Sequence, residues 1–210
     1  MRKIIILIFI LQSSLAFSQI QQYFFVDDVD YVESVTVKIC IGENGETTSV
    51  TEIPEKSTYK NKEVIAQIIE YRKGFDFYPE SQFSNKCFEF PFKVVNSKYE
   101  SLTATNVNCK DKFGKGRFKY IASDTEEVKI IRRKKKQIEK VKGSKSVYKI
   151  EWNSNSSYVL TYLKVFDPKA QYLIGQEMEV KILDVLDDGS YFYYSNLSNR
   201  TYSFGIIKKL

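Results

Sequence analysis

The run Val35-Thr36-Val37-Lys38-Ile39-Cys40-Ile41-Gly42-Glu43-Asn44-Gly45-Glu46-Thr47-Thr48-Ser49-Val50-Thr51-Glu52-Ile53 decides how the first half of the chain folds. Val35, Val37, Ile39 and Ile41 alternate with Thr36, Lys38 and Cys40, the period-two pattern of a strand with one buried face. Glu43 to Glu46 supply a turn, because Asn-Gly reaches the positive φ that a tight hairpin demands, and the β-prone run Thr47 to Ile53 completes the hairpin. From Asn61 to Arg72 the period changes. Val64, Ile65, Ile68 and Ile69 stand three and four residues apart on one helical face, and Gly74 stops the helix. After a loop holding Pro79, Cys87 to Val95 alternates again, with Phe88, Phe90, Phe92 and Val94 on one face and Cys87, Glu89, Pro91 and Lys93 on the other. Pro91 has no N–H to give to a ladder, so this third strand is expected to have a free edge on that side.

Beyond Cys109 the chain is a succession of β-prone runs separated by turn residues, without an amphipathic helix. Strands are expected near Arg117 to Ala122, Val128 to Arg132, Gln137 to Val141, Val147 to Trp152, Tyr158 to Val165, Glu177 to Val185, Tyr191 to Ser195 and Thr201 to Ile207. The intervening turns are Ser123 to Glu126, Lys134 to Lys136, Gly143-Ser144, Asn153 to Ser156, Asp187 to Gly189 and Asn196 to Asn199. Eight strands with short connections make an antiparallel meander, which protects its edges by closing into a barrel or folding into a sandwich. The expected class is therefore α+β: an N-terminal ββαβ unit followed by an all-antiparallel β-barrel or β-sandwich domain.

Composition sets the outer limits. The chain has 210 residues, 43% hydrophobic and 28% charged, which is ordinary globular usage. Histidine is absent, so Ser-His-Asp and Cys-His catalysis and every imidazole metal site are excluded. At the start, Arg2 and Lys3 precede the apolar run Ile4 to Leu11, and Ala16 and Ser18 place small residues before Gln19. This is the pattern of a secretory signal peptide cleaved after Ser18, since the apolar run is far shorter than the roughly 20 residues of a membrane span. The mature chain is expected in the periplasm or outside the cell, without a transmembrane segment. Charge is unevenly spread. Gln19 to Asn108 hold 9 Lys/Arg against 14 Asp/Glu, a net −5, whereas Cys109 to Leu210 hold 21 against 12, a net +9. The second half thus suits anionic partners such as lipid headgroups or acidic glycans. Nucleic acid fits the charge but not the export signal.

Val35-Thr36-Val37-Lys38-Ile39, Gly42-Glu43-Asn44-Gly45, Val64-Ile65-Ala66-Gln67-Ile68, Phe75-Asp76-Phe77-Tyr78-Pro79 and Phe88-Glu89-Phe90-Pro91-Phe92 follow one another in an order that resembles the C-terminal domain of the TonB family, over about residues 34–97. The resemblance implies a TonB-like ββαβ unit that binds an extended protein segment by adding it to a sheet edge, an edge carried here by Cys87, Phe88, Glu89, Phe90, Pro91, Phe92 and Lys93. It also implies that the third strand lies antiparallel to the first, which brings Cys40 beside Cys87. A disulfide there closes a loop of about 47 residues and contributes about 4 kcal/mol in the chain-entropy model. The membrane anchor and Pro-rich spacer of a TonB energy transducer are missing, so motor coupling is not implied. Cys109 to Tyr120, with Ile131-Arg132-Arg133, Gln137-Ile138-Glu139 and Tyr148 to Trp152, resembles a group of small exported β proteins of Bacteroidetes-type bacteria, some labelled DNA topoisomerase IV. That group brings no function with it. The resulting division is 1–18 signal peptide, 19–100 TonB C-terminal-like domain and 101–210 antiparallel β domain.

No catalytic residues, cofactor or metal site are expected. A catalytic Cys109 would need a neighbouring base and no histidine is available, and no C-x-x-C exists. Arg132, Arg133, Lys134, Lys135 and Lys136 offer either an anionic-surface site or a charged hairpin tip that resists edge-to-edge aggregation. Asp184, Asp187 and Asp188 belong to turn chemistry in preference to a Ca²⁺ site. In Tyr191-Phe192-Tyr193-Tyr194 two rings must face inward, and the other two are free to pack or to stack on a ligand. The leading expectation is a non-enzymatic cell-envelope protein that binds a protein segment. The alternative is a lipocalin-like carrier of a small apolar ligand in the C-terminal domain; an envelope hydrolase using paired carboxylates is weakest.

Overall fold

A computed structural model describes residues 22–121, 128–142, 144–197 and 201–210. The expected signal peptide and the expected turn at Ser123 to Glu126 lie outside the described residues, as do parts of the turns expected at Gly143-Ser144 and Asn196 to Asn199. The first unit holds β1 (Tyr23–Val26), β2 (Val32–Ile41), β3 (Thr47–Glu52), α1 (Lys62–Lys73) and β4 (Lys86–Asn96). Its sheet has the spatial order β1-β4-β2-β3. β2 and β4 run antiparallel in unbroken register from Val32↔Val95 to Ile41↔Lys86, and β1 joins β4 in parallel from Tyr23↔Lys93 to Val26↔Asn96.

The local chemistry explains these elements. Gly45 sits at φ +86° in the hairpin turn, and a Cβ there would fall 2.0 Å from the carbonyl oxygen of Phe77, so only glycine fits. Asn61 caps α1 by accepting from the N–H of Glu63, and Arg72 and Lys73 occupy the last turn, where cations suit the dipole. Ile65 and Ile68 are 2% and 0% exposed and pack with Val35, Val37, Ile39, Phe92 and Val94. Each such isoleucine contributes about 1.5–3 kcal/mol by leaving water.

The second unit contains α2 (Cys109–Phe113) and eight strands: β5 (Gly116–Ile121), β6 (Lys129–Arg133), β7 (Lys136–Val141), β8 (Ser144–Trp152), β9 (Ser157–Lys164), β10 (Glu177–Val185), β11 (Ser190–Leu197) and β12 (Thr201–Lys209). They close into an antiparallel barrel in the order β10-β11-β12-β5-β6-β7-β8-β9. Of the two architectures left open by the sequence, the barrel is the one formed. The short helix α2 was not expected; it carries Cys109 and Phe113, both 0% exposed, into the barrel core. A third apolar cluster joins the units. Val95, Tyr99, Leu183, Phe192, Tyr194 and Phe204 are its buried members, and Tyr23, Phe25 and Tyr31 pack against them. Alternation therefore accounts for all four rings of Tyr191-Phe192-Tyr193-Tyr194: Tyr191 and Tyr193 join the barrel core, and Phe192 and Tyr194 face the sheet.

Candidate functional site

The expected free edge is only partly free. β1, a strand not anticipated from Tyr23-Phe24-Phe25-Val26, covers the end of β4, and the N–H of Lys93 donates to the carbonyl of Gln22 at 2.8 Å. Lys93 therefore leaves the candidate edge. Along a strand the backbone groups of alternate residues point to opposite sides, so Pro91, Glu89 and Cys87 turn their backbone the same way as Lys93, away from β2. Among the described residues no strand pairs with Lys86 to Phe92 on that side. The exposed rim offers the N–H groups of Cys87 and Glu89 and the carbonyls of Cys87, Glu89 and Pro91. Pro91 stands where its missing donor breaks no bond of the β2–β4 ladder.

The same parity places Cys40 opposite Cys87 in a pair that exchanges no backbone hydrogen bonds, the kind of pair in which facing side chains come closest. The two are joined as a disulfide with their Cα atoms 4.0 Å apart. One face of the rim is aromatic: Phe88 and Phe90 are half-buried, and the Phe83 ring lies 4.7 Å from that of Phe88. The other face is polar. Glu89 accepts from Lys56 at 2.6 Å, and both border a cleft of about 530 Å³ with Thr36, Ser57, Thr58 and Pro91. An added strand would thus lay alternate side chains against phenylalanine rings and over a polar cleft. The far edge, β3, is less open. At its start the Thr47 N–H donates to Asp76 and the Thr47 hydroxyl to the Phe75 carbonyl; at its end Lys62 reaches Glu52 at 3.3 Å.

The basic run is divided. Arg132 is 2% exposed and lies inside the barrel, so it does not belong to an anionic surface. Alternation along β6 sends Ile130 and Arg132 inward, and the like-charged neighbours in the sequence conceal that parity. The guanidinium donates to Gln137 Oε1 at 2.7 Å, to the Phe113 carbonyl at 3.3 Å, and to the Tyr158 and Tyr191 hydroxyls at 2.7 and 2.6 Å. Gln137 passes the network to Glu139, which also accepts from Tyr120 and Tyr148. Burial holds the Glu139 carboxyl above its ordinary range, although those hydrogen bonds and Arg132 pull the other way. The rings of Phe113, Phe118, Tyr158 and Tyr191 are buried in the barrel core around this network. Arg133, Lys134, Lys135 and Lys136 are exposed around the β6–β7 turn.

The remaining candidates are engaged structurally. Asp184 accepts from the Tyr99 hydroxyl, and Asp188 accepts from the Ser190 N–H and from Lys208, while Gly189 adopts φ +80° in the turn. Cys109 is a buried thiol whose pKa burial raises. Among the described residues no group of three or more acidic or cysteine side chains could hold a metal ion, and no helix is long and apolar enough to cross a membrane. Comparison with known proteins finds no matching family model, no matching curated protein and no matching solved structure.

Proposed function

We propose that this is a non-enzymatic exported envelope protein that binds an extended protein segment by adding it to the Lys86–Phe92 rim of β4. The observation that carries the reading is the rim itself: five backbone groups aimed outward, with no strand paired to them among the described residues, beside β1, whose pairing with β4 runs from Lys93 to Asn96. Unpaired backbone along an edge is the driving feature of strand addition, and the two unlike faces beside it supply selectivity. The order β2-β3-α1-β4, with β4 antiparallel to β2, supports a TonB C-terminal-like identity for the unit; the parallel β1 is an addition to that plan. Export is supported by the leader pattern and by the Cys40–Cys87 bridge, a bond that persists in oxidising compartments.

A display library of random peptides of about 12 residues, long enough to span the rim, provides the probe. Peptides selected on the protein should protect the Cys87 and Glu89 amides from hydrogen exchange. Glu89→Pro deletes one outward N–H without touching the β2–β4 ladder and should weaken binding about tenfold, while the variant melts close to the parent. N-methylation of alternate peptide amides should do the same from the other side. Selected peptides that bind Glu89→Pro unchanged, or that protect β3 instead, would refute the proposal; so would a library that yields no binder.

A further inference from the structure

The outer face of β5 to β8 carries a charge distribution that folding does not require. Strand register places Lys208 of β12 opposite Lys119 of β5, Lys119 opposite Lys129 of β6, Lys129 opposite Lys140 of β7, and Lys140 opposite Lys145 of β8. Five lysines therefore form one row around the outside of the barrel, each about 5 Å from the next in the hydrogen-bonding direction. Two residues along, Ile131, Ile138 and Val147 are aligned in the same way, and beyond them stand Arg133, Lys136 and Lys149. Leaving Lys129 aside, the outward positions of β5 to β8 hold seven cations, Arg117 among them, against one carboxylate, Glu151, which is paired with Lys149.

Like charges directly opposite one another destabilise a sheet. Lysines that guard open edges against aggregation have no such duty here, because the closed barrel pairs each of these strands on both sides. Within the fold Lys208 is paired with Asp188 and Lys149 with Glu151, and an anionic partner suits the exposed cations at Lys140, Lys145 and Lys164. Apolar groups at one end narrow the choice of partner. Lys140, Lys145 and Lys164 share a groove of about 690 Å³ with Phe166, which is 53% exposed. Leu163, Tyr172 and Ile174 are also exposed, so the end of β9 and its connection to β10 hold half of the eight exposed large apolar side chains among the described residues. The N-terminal sheet packs on the outside of β10 to β12 and leaves this region uncovered.

We infer that this face docks the protein on an anionic lipid bilayer, with the lysine rows over the headgroups and Phe166 and its apolar neighbours entering the interface. An all-lysine row matches a plane of diffuse charge, for which flexible point charges serve better than the rigid forks of arginine. Exposed leucine, isoleucine and phenylalanine beside it match the headgroup–acyl boundary and have no counterpart in a soluble polyanion.

Vesicle co-sedimentation with the purified protein tests the inference. Vesicles holding about 30% phosphatidylglycerol should take up the protein in a salt-sensitive manner and pure phosphatidylcholine should not. Charge reversal of three exposed positions, Lys140→Glu with Lys145→Glu and Lys164→Glu, should lower partitioning about a hundredfold, and Phe166→Ser about tenfold. Melting curves of both variants should overlie the parent, and the salt titration of the parent gives the electrostatic result without any substitution. Equal uptake by neutral and anionic vesicles, no uptake, or an unaffected triple variant would overturn the inference. Dextran sulfate bound as tightly as the vesicles, with no response to Phe166→Ser, would overturn it in favour of a soluble polyanion.

Discussion

Replacing Arg132 by methionine separates a buried cation from its exposed neighbours. The methionine stem fills most of the arginine volume, so little cavity cost arises, and the loss falls on polar partners. The Phe113 carbonyl and Gln137 Oε1 lose their donors at 3.3 and 2.7 Å, whereas the Tyr158 and Tyr191 hydroxyls stand 3.3 Å apart and can turn to one another. Each buried acceptor left unpaired costs about 1–3 kcal/mol, and the removal of guanidinium desolvation offsets part of this. A net loss of about 3 kcal/mol follows, which lowers the melting temperature of a chain of this size by about 10 °C. Arg133→Met, one residue away and exposed, should stay within about 0.5 kcal/mol of the parent. Thermal unfolding followed by near-ultraviolet circular dichroism of the tyrosines reads both. Equal melting temperatures for the two variants, or a more stable Arg132→Met, would refute the reasoning, because either result means that the interior network contributes nothing net.

Glu139 should make stability depend on pH. Its carboxyl titrates above the unfolded value, so between the two the folded state holds the extra proton, and stability falls as pH rises through that window. Glu139→Gln should flatten this slope in pH-dependent urea melts; an unchanged slope would place the effect elsewhere. Replacing Cys40 and Cys87 together by serine should cost up to about 4 kcal/mol, and a thiol assay on the parent should count no fast-reacting thiol when native and one, Cys109, when unfolded. Three reactive thiols in the unfolded parent would show that the bridge is not formed. Gly45→Ala should destabilise by more than about 1 kcal/mol, because the added Cβ meets Phe77 and the positive φ is retained; a neutral change in the denaturation midpoint would contradict that geometry.

The barrel strands are legible in the sequence because their turns are marked and their alternation is intact: each of the eight expected runs overlaps one of β5 to β12. Side-chain direction is less legible where composition is uniform. In Ile130 to Lys136 the charge run hides the parity that Ile130 sets, and counting inward positions from that isoleucine is the signal that recovers Arg132. β1 gives no alternation, because all four of its residues are half-buried, Phe24 against α1 and Tyr23 and Phe25 against the barrel. Cross-strand register depends on turn geometry as well as residue type, so the opposition of Lys119, Lys129, Lys140 and Lys145 becomes visible only when the strands are paired. The helix α2 has five residues, too few for a period to show.

The rim of β4 also limits how tightly anything can bind it. About five backbone hydrogen bonds at roughly 1 kcal/mol each are available to an incoming strand, and ordering five residues of a flexible segment costs about 5–10 kcal/mol. The backbone alone therefore yields no stable complex, and side chains must provide the surplus. On the Phe88–Phe90 face that means apolar residues at alternate positions of the bound segment, since a side chain laid against those rings contributes about 1.5–3 kcal/mol when fully covered. On the Lys56–Glu89 face the contribution is small, because both partners are about half exposed and such pairs hold at most about 1 kcal/mol. Selected peptides should accordingly alternate, with large apolar residues every second position and little constraint between them, and Phe90→Ala should weaken them about tenfold or more. Peptides selected for charge complementarity to Glu89, and indifferent to Phe90→Ala, would show that recognition works through the polar cleft and that the hydrogen-bonded rim is incidental to it.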